Sequence, residues 1–132
     1  MNRESMRAFV EKAYAERDSG NVAGIVTAFR DDGVFHLAGD SKAFVLAGAI
    51  EGHPSLEQAM TQFTRDFTFS GRKILSFVAD GDRAAVHSRL TVKHKNGTFE
   101  TDILDLFAFK DGKIDELIEF ADTAKIKQVA FG

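Results

Sequence analysis

Asp105 is the residue of this sequence with the clearest reason to do chemistry. It lies in the stretch Thr98–Asp122, which reads as two long strands joined by a tight turn. Alternate side chains of a strand point to opposite faces. Thr101, Ile103, Asp105, Phe107 and Phe109 therefore share one face, and Glu100, Asp102, Leu104, Leu106 and Ala108 share the other. A carboxyl walled by Ile103, Phe107 and Leu90 loses solvation, so its pKa rises. A neutral acid at pH 7 can donate a hydrogen bond to an oxygen that is gaining charge. The competing reading is an aspartate bonded to Ser88 or to backbone, with no further role. Other chemistries find less support. His87 and His94 share a strand but differ in parity, and no set of His and carboxylates has metal-ligand spacing, so no metal is expected. No glycine loop of phosphate-binding spacing precedes a helix, and nothing marks a nucleophile triad.

Two turns decide what surrounds Asp105. At Lys110-Asp111-Gly112-Lys113 a two-residue loop pairs Lys110 with Lys113, whereas a three-residue loop with a left-handed Gly112 pairs Phe109 with Lys113. The first reading sends Ile114, Glu116, Ile118 and Phe120 to the Asp105 face. The second sends Asp115, Leu117, Glu119 and Ala121 there, because a one-residue slip exchanges the whole set. Asn96-Gly97 is a strong hairpin signal. If Lys95 pairs with Thr98, Ser88 lies opposite Asp105, Val86 opposite Phe107 and Leu90 opposite Ile103. His87, Arg89, Thr91 and Lys93 then face the other way, with an ion-pair role expected for Arg89.

The remaining elements follow from period and punctuation. Glu4–Ser19 carries Met6, Phe9, Val10, Ala13 and Tyr14 at helical spacing, with Gly20 placed to end the helix. Asn21 can cap a short second helix bearing Ile25, Val26 and Phe29. A short strand is expected over Val34–Leu37, and residues 38–52 lack a clear period and read as a loop. Pro54 opens a third helix whose stripe is Leu56, Ala59, Met60, Phe63 and Phe67. Strands are expected over Phe69–Ala79 and Arg83–His94, and Asp122 can cap a last helix over Thr123–Val129.

With 132 residues the chain reads as one domain, 1–132, large enough for a real core. Its thirteen Phe, one Tyr and no Trp can line an apolar cavity as well as fill a core. A net charge of −3 without a basic stripe argues against a nucleic-acid partner. The lack of cysteine removes disulfides and thiolate zinc sites. The N-terminal stretch is amphipathic and no run approaches a membrane span, so no membrane association and a cytoplasmic location are expected.

The order of helices and strands resembles the nuclear transport factor 2-like superfamily, in its SnoaL-like and ketosteroid-isomerase-like branch. The resemblance is carried by Ser19–Val26, by Phe29–Val34, and by Asp105–Phe109 followed by Asp111–Ile114. It implies an α+β fold in which a cone-shaped, curved antiparallel sheet packs on three N-terminal helices and encloses an apolar pocket. The family's hairpin favours the three-residue loop, which brings Leu117, Glu119 and Ala121 beside Asp105. Asp105 matches the acid that holds a developing oxyanion in ketosteroid isomerases, and Glu119 becomes a second candidate acid or base. The chain also departs from those isomerases. Leu37 stands where their base stands, with His36 adjacent as a candidate base if the strand bulges. Their tyrosine falls opposite Ala13, with Tyr14 one position off; the Tyr14 hydroxyl either points into the cavity or caps a core side chain. The Asp-Arg-Asp set of epoxide hydrolases of this fold is also missing, since Ser88 and Leu90 hold the pocket face of that strand.

The expected function is therefore binding of a small, largely apolar molecule, with Tyr14, Leu37, Phe63, Val86, Ser88, Leu90, Ile103, Phe107 and Leu117 lining the pocket. The alternative is a cofactor-independent proton-transfer enzyme, such as an isomerase, cyclase or dehydratase, with Asp105, Glu119 and His36 as its catalytic candidates. A homodimer is expected through the outer sheet face around Leu104, Leu106, Ile118 and Phe120.

Overall fold

The computed structural model describes residues 1–132 as an α+β fold built on one curved six-stranded sheet. In chain order the elements are α1 (Arg3–Ser19), α2 (Val22–Thr27), β1 (Phe29–Leu37), β2 (Gly48–Glu51), α3 (His53–Asp66), β3 (Thr68–Asp80), β4 (Arg83–His94), β5 (Gly97–Lys110), β6 (Lys113–Ala121) and α4 (Thr123–Phe131). The sheet order is β2-β1-β6-β5-β4-β3. Four of its ladders are antiparallel, and β1 runs parallel to β6. No helix is long and apolar enough to cross a membrane.

Local signals explain where the helices sit. Asn2 accepts from the Ser5 amide at 2.8 Å while the Ser5 hydroxyl accepts from the Asn2 amide at 3.0 Å, closing the start of α1. Gly20, at φ +74°, ends it in the left-handed conformation that favours glycine. Met6, Val10 and Tyr14 form its buried stripe, spaced four apart, and Asp18 continues the same stripe with a charged group. Asn21 and Asp122 cap α2 and α4 through the Gly24 and Lys125 amides.

The two uncertain turns resolve in unexpected ways. At Asp111-Gly112 the loop has two residues, both at positive φ, and Lys110 pairs with Lys113. A bulge then leaves Asp115 unpaired between the pairs Phe109–Ile114 and Ala108–Glu116. Ile114 thus faces inward as the two-residue reading requires, and Leu117, Glu119 and Ala121 face inward as the three-residue reading requires. The expected face is right, but a bulge produces it rather than a longer loop. Arg30 on β1 holds the bulged residue, donating to Asp115 at 2.8 Å.

The β4–β5 turn is Lys95-Asn96, with His94 paired to Gly97. This moves the register two residues from the expected one. Val86 lies opposite Asp105 and Ser88 opposite Ile103, while every side chain keeps its face because the shift is even. Arg89 sits opposite Asp102 on the outer face and donates to it at 2.8 Å, the ion pair expected of it.

Two further expectations are corrected. β1 starts at Phe29 and not at Val34, with a wide irregularity in between. Residues 38–52 are not all loop. Gly48–Glu51 pairs with β1 as β2, and Phe44 and Ala47 are buried. A sheet-edge strand of four residues is too short to announce itself by alternation.

Candidate functional site

The helices cover one side of the sheet and leave a cavity of about 100 Å³ between them and the inward face. That approaches the roughly 150 Å³ known to hold a benzene ring in an apolar cavity. Twenty of its twenty-five lining residues are hydrophobic. Ala13, Tyr14 and Arg17 come from α1, Phe35 and Leu37 from β1, and Met60 and Phe63 from α3. Phe69 and Arg72 come from β3, Ile103, Asp105 and Phe107 from β5, Leu117, Glu119 and Ala121 from β6, and Ile126 from α4.

Asp105 is the polar centre. Its residue is 1 % exposed, and the Tyr14 hydroxyl donates to its Oδ2 at 2.6 Å. Its Oδ1 is buried, and no N–H or hydroxyl of the chain reaches it. On the flanking strands Val86 and Glu119 are its cross-strand neighbours. Burial pushes the Asp105 pKa well above the usual carboxylate range, and the nearby Glu119 carboxylate pushes it further. The Tyr14 hydrogen bond and the Arg72 charge pull it back only in part. A hydrogen bond between the Asp105 and Glu119 carboxyls also favours the neutral form of Asp105, so the acid can carry a proton, share it with Glu119 and donate it to a bound oxygen. The Tyr14 hydroxyl is itself driven strongly towards its neutral form, by burial first and then by Asp105.

Two arginines stand beside this pair. Arg72 donates through Nε and Nη2 to the two carboxylate oxygens of Asp18, each at 2.9 Å, and its guanidinium lies 3.9 Å from the Tyr14 ring centre. Its Nη1 is buried with no partner. Burial lowers the Arg72 pKa, but bonding to Asp18 outweighs it and the net direction is up. Arg17 donates to the Phe67 carbonyl at 2.9 Å and stacks 3.7 Å from the Phe69 ring centre. Burial lowers its pKa to about 10, which leaves it charged at neutral pH.

Most residues expected at the site meet there. Asp105, Glu119, Tyr14, Leu37, Phe63, Ile103, Phe107 and Leu117 line the cavity. Val86, Ser88 and Leu90 do not. They share the inward face but are covered: Val86 packs in the cluster of Met6 and Val10, and Leu90 in that of Phe67 and Ile103. The Ser88 hydroxyl is buried without a partner and makes no bond to Asp105. His36 is also misplaced as a candidate. It alternates with the buried Phe35 and Leu37, so it lies on the outer face, paired with Ile118. Arg17, Asp18 and Arg72 went unrecognised. Asp18 was legible as the next step of the Met6, Val10, Tyr14 stripe. Arg72 was not, because Gly71, at φ +61°, opens a bulge that turns it inward against simple alternation from Phe69.

As a chemical arrangement, the site offers a neutral acid and a guanidinium donor in an apolar enclosure, with a second carboxyl alongside. Donors fixed in such a place stabilise charge on a bound oxygen more than they would in water.

Comparison with known proteins agrees with the fold. Residues 7–117 match the sequence profile of the SnoaL-like domain. No curated protein matches the chain. Among solved structures, an NTF2-like protein of unknown function from Burkholderia pseudomallei is similar at TM-score 0.85 and 17% identity, covering 100% of both chains. TerC, co-crystallised with polyporic acid, is similar at TM-score 0.82 and 17% identity, covering 97% of this chain and 99% of that one. A protein of ketosteroid isomerase-like fold from Catenulispora acidiphila, in complex with trimethylamine, is similar at TM-score 0.77 and 13% identity, covering 93% and 92%. By its sequence match the chain belongs to the SnoaL-like domain family, and its fold is that of the NTF2-like proteins.

Proposed function

We propose that the whole chain, 1–132, acts as one unit that binds a small, largely apolar molecule in the cone, anchored by an oxygen acceptor at Asp105. The observation that carries this is a fully buried acid at the wall of an apolar cavity, whose Oδ1 no N–H or hydroxyl of the chain reaches. A buried polar atom without a partner is costly, and a ligand that completes its bond gains what the empty protein forgoes. The small molecules held by TerC and by the Catenulispora protein support the reading. The test is native mass spectrometry of the protein purified from its own host, followed by NMR titration with acetophenone. Retention of a small molecule, or saturable acetophenone shifts that vanish in Asp105→Ala, is the expected result. A protein that is empty and also blind to acetophenone would remove the reading.

Glu119 beside Asp105 supports a second reading, cofactor-independent proton transfer as in an isomerase or cyclase. Asp105 would hold a carbonyl oxygen while Glu119 takes the proton from the adjacent carbon, which gives acid and base two different environments. Deuterium uptake at the acetophenone methyl in heavy water, lost in Glu119→Gln, would establish it. Uptake no faster than buffer leaves binding alone. A homodimer through Leu104, Leu106, Ile118 and Phe120, and a cytoplasmic setting, belong to the same proposal.

A further inference from the structure

We infer that the cavity selects ligands bearing an acidic oxygen (a carboxylate, phenolate or enolate on an apolar skeleton), and that Arg72 and Arg17 are the residues that select them. The inference rests on the reading that the cone binds a small molecule.

Four observations lead to it. Arg72 is nine-tenths buried as a side chain, and its pairing with Asp18 uses only Nε and Nη2. The unpartnered Nη1 belongs to a cavity-lining residue and can only donate. Arg17, also in the lining, spends one Nη2 bond on a backbone carbonyl and forms no ion pair. Both guanidinium groups gather round one ring, at 3.7 Å and 5.7 Å from the Phe69 centre, so their charges fall on the same wall. That wall carries two cations, and only the Arg72 charge is matched by a hydrogen-bonded carboxylate. Glu119, and after it Asp18, offer Arg17 charge without a hydrogen bond.

The wall therefore has donors in surplus and one cation short of a contact partner. A ligand oxygen that carries negative charge meets both needs. Charge-assisted hydrogen bonds are roughly twice as strong as neutral ones, and a guanidinium favours the two-oxygen geometry of a carboxylate. A ketone of the same size offers one neutral acceptor. The rest of the lining is apolar and sets the skeleton. Glu119 works in the opposite direction: if its carboxylate serves as the Arg17 counter-ion, an added anion is repelled. The experiment reads which of the two prevails.

Benzoate and acetophenone are a matched pair of similar size. NMR titrations of the intact protein at neutral pH should give benzoate roughly tenfold tighter binding than acetophenone. Arg72→Met keeps an apolar stem and removes the donors. It should bring the ratio close to one, with benzoate losing far more affinity than acetophenone. Arg17→Met should lower the ratio too. Equal affinities in the unaltered protein, or a ratio that both substitutions leave intact, would overturn the inference while leaving the binding reading standing. Failure of both probes to bind would overturn the two together. Should Arg72→Met not fold, the ratio in the unaltered protein and the Arg17→Met variant still decide.

Discussion

At the scale of single residues, the Tyr14–Asp105 pair makes a claim about pH. Asp105 binds its proton more tightly in the folded chain than in the unfolded one, because burial and Glu119 disfavour its charge. The stability that this contributes is full below the ordinary carboxylate value of 3.8 and is lost as pH rises towards the raised folded value. Asp105→Asn removes the titration and keeps an acceptor oxygen for the Tyr14 hydroxyl. Relative to this variant, the unaltered protein should therefore lose ground steadily as pH climbs from about 4 upwards. Urea unfolding at several pH values reads the difference directly. A difference that does not vary with pH would mean that Asp105 titrates normally. Because Tyr14 is the only tyrosine and there is no tryptophan, ultraviolet absorbance gives an independent check on the same pair. Ionisation of that one hydroxyl should be delayed far beyond its usual pH for as long as the fold survives.

At the scale of elements, the sequence displayed faces better than partners. The inward set of β5 could be read because alternation from Thr101 to Phe109 is unbroken, and an even register error in β4 could not disturb it. The β5–β6 hairpin was different. Its two readings were each half right, because a half-buried aspartate bulges after the turn and is pinned by Arg30, 85 residues away. No local pattern carries that information. The same holds for Arg72. Strict alternation from Phe69 sends Lys73 inward, and the Gly71 bulge moves the charge of Arg72 there instead. The site was thus legible where it rests on regular strand geometry, at Asp105, Phe107 and Leu117, and hidden where a glycine breaks the period. Gly71 supplies a test of this. A Cβ there would meet only the Thr91 hydroxyl, at 3.9 Å, so the cost of a side chain is conformational and not steric. Gly71→Ala should lose roughly 1–2 kcal/mol for holding alanine in the left-handed region. Gly71→Asn should lose less, since asparagine tolerates that conformation. Chemical denaturation of the three proteins checks the order, and equal losses for Ala and Asn would show that the bulge is not held by backbone conformation.

At the scale of the whole molecule, the sheet has a second face that the helices do not cover. Leu104 pairs with Phe120 and Leu106 with Ile118 across the β5–β6 ladder, in the middle of the strand order. Leu104, Leu106 and Phe120 are 39 %, 37 % and 45 % exposed, an apolar patch in one piece. His87 and Arg89 flank it, both bonded to Asp102, so charges beside the patch are already matched within the chain. An apolar centre with a satisfied polar edge is the pattern of an interface. A second copy of the chain presents the same patch and needs no complementary partner surface. The protein should sediment as a dimer at micromolar concentration. Replacing Leu104 and Phe120 together by threonine keeps a favourable cross-strand pair within the sheet while removing its apolar surface. That variant should dissociate to monomer with a Kd raised at least about tenfold. A monomer in the unaltered protein would remove the interface. Because the patch and the cavity occupy opposite faces of the same strands, the threonine variant should still shift on addition of benzoate as the unaltered protein does. Loss of that binding with dissociation would mean instead that the cone needs the second copy to keep its curvature, and that site and interface are one device.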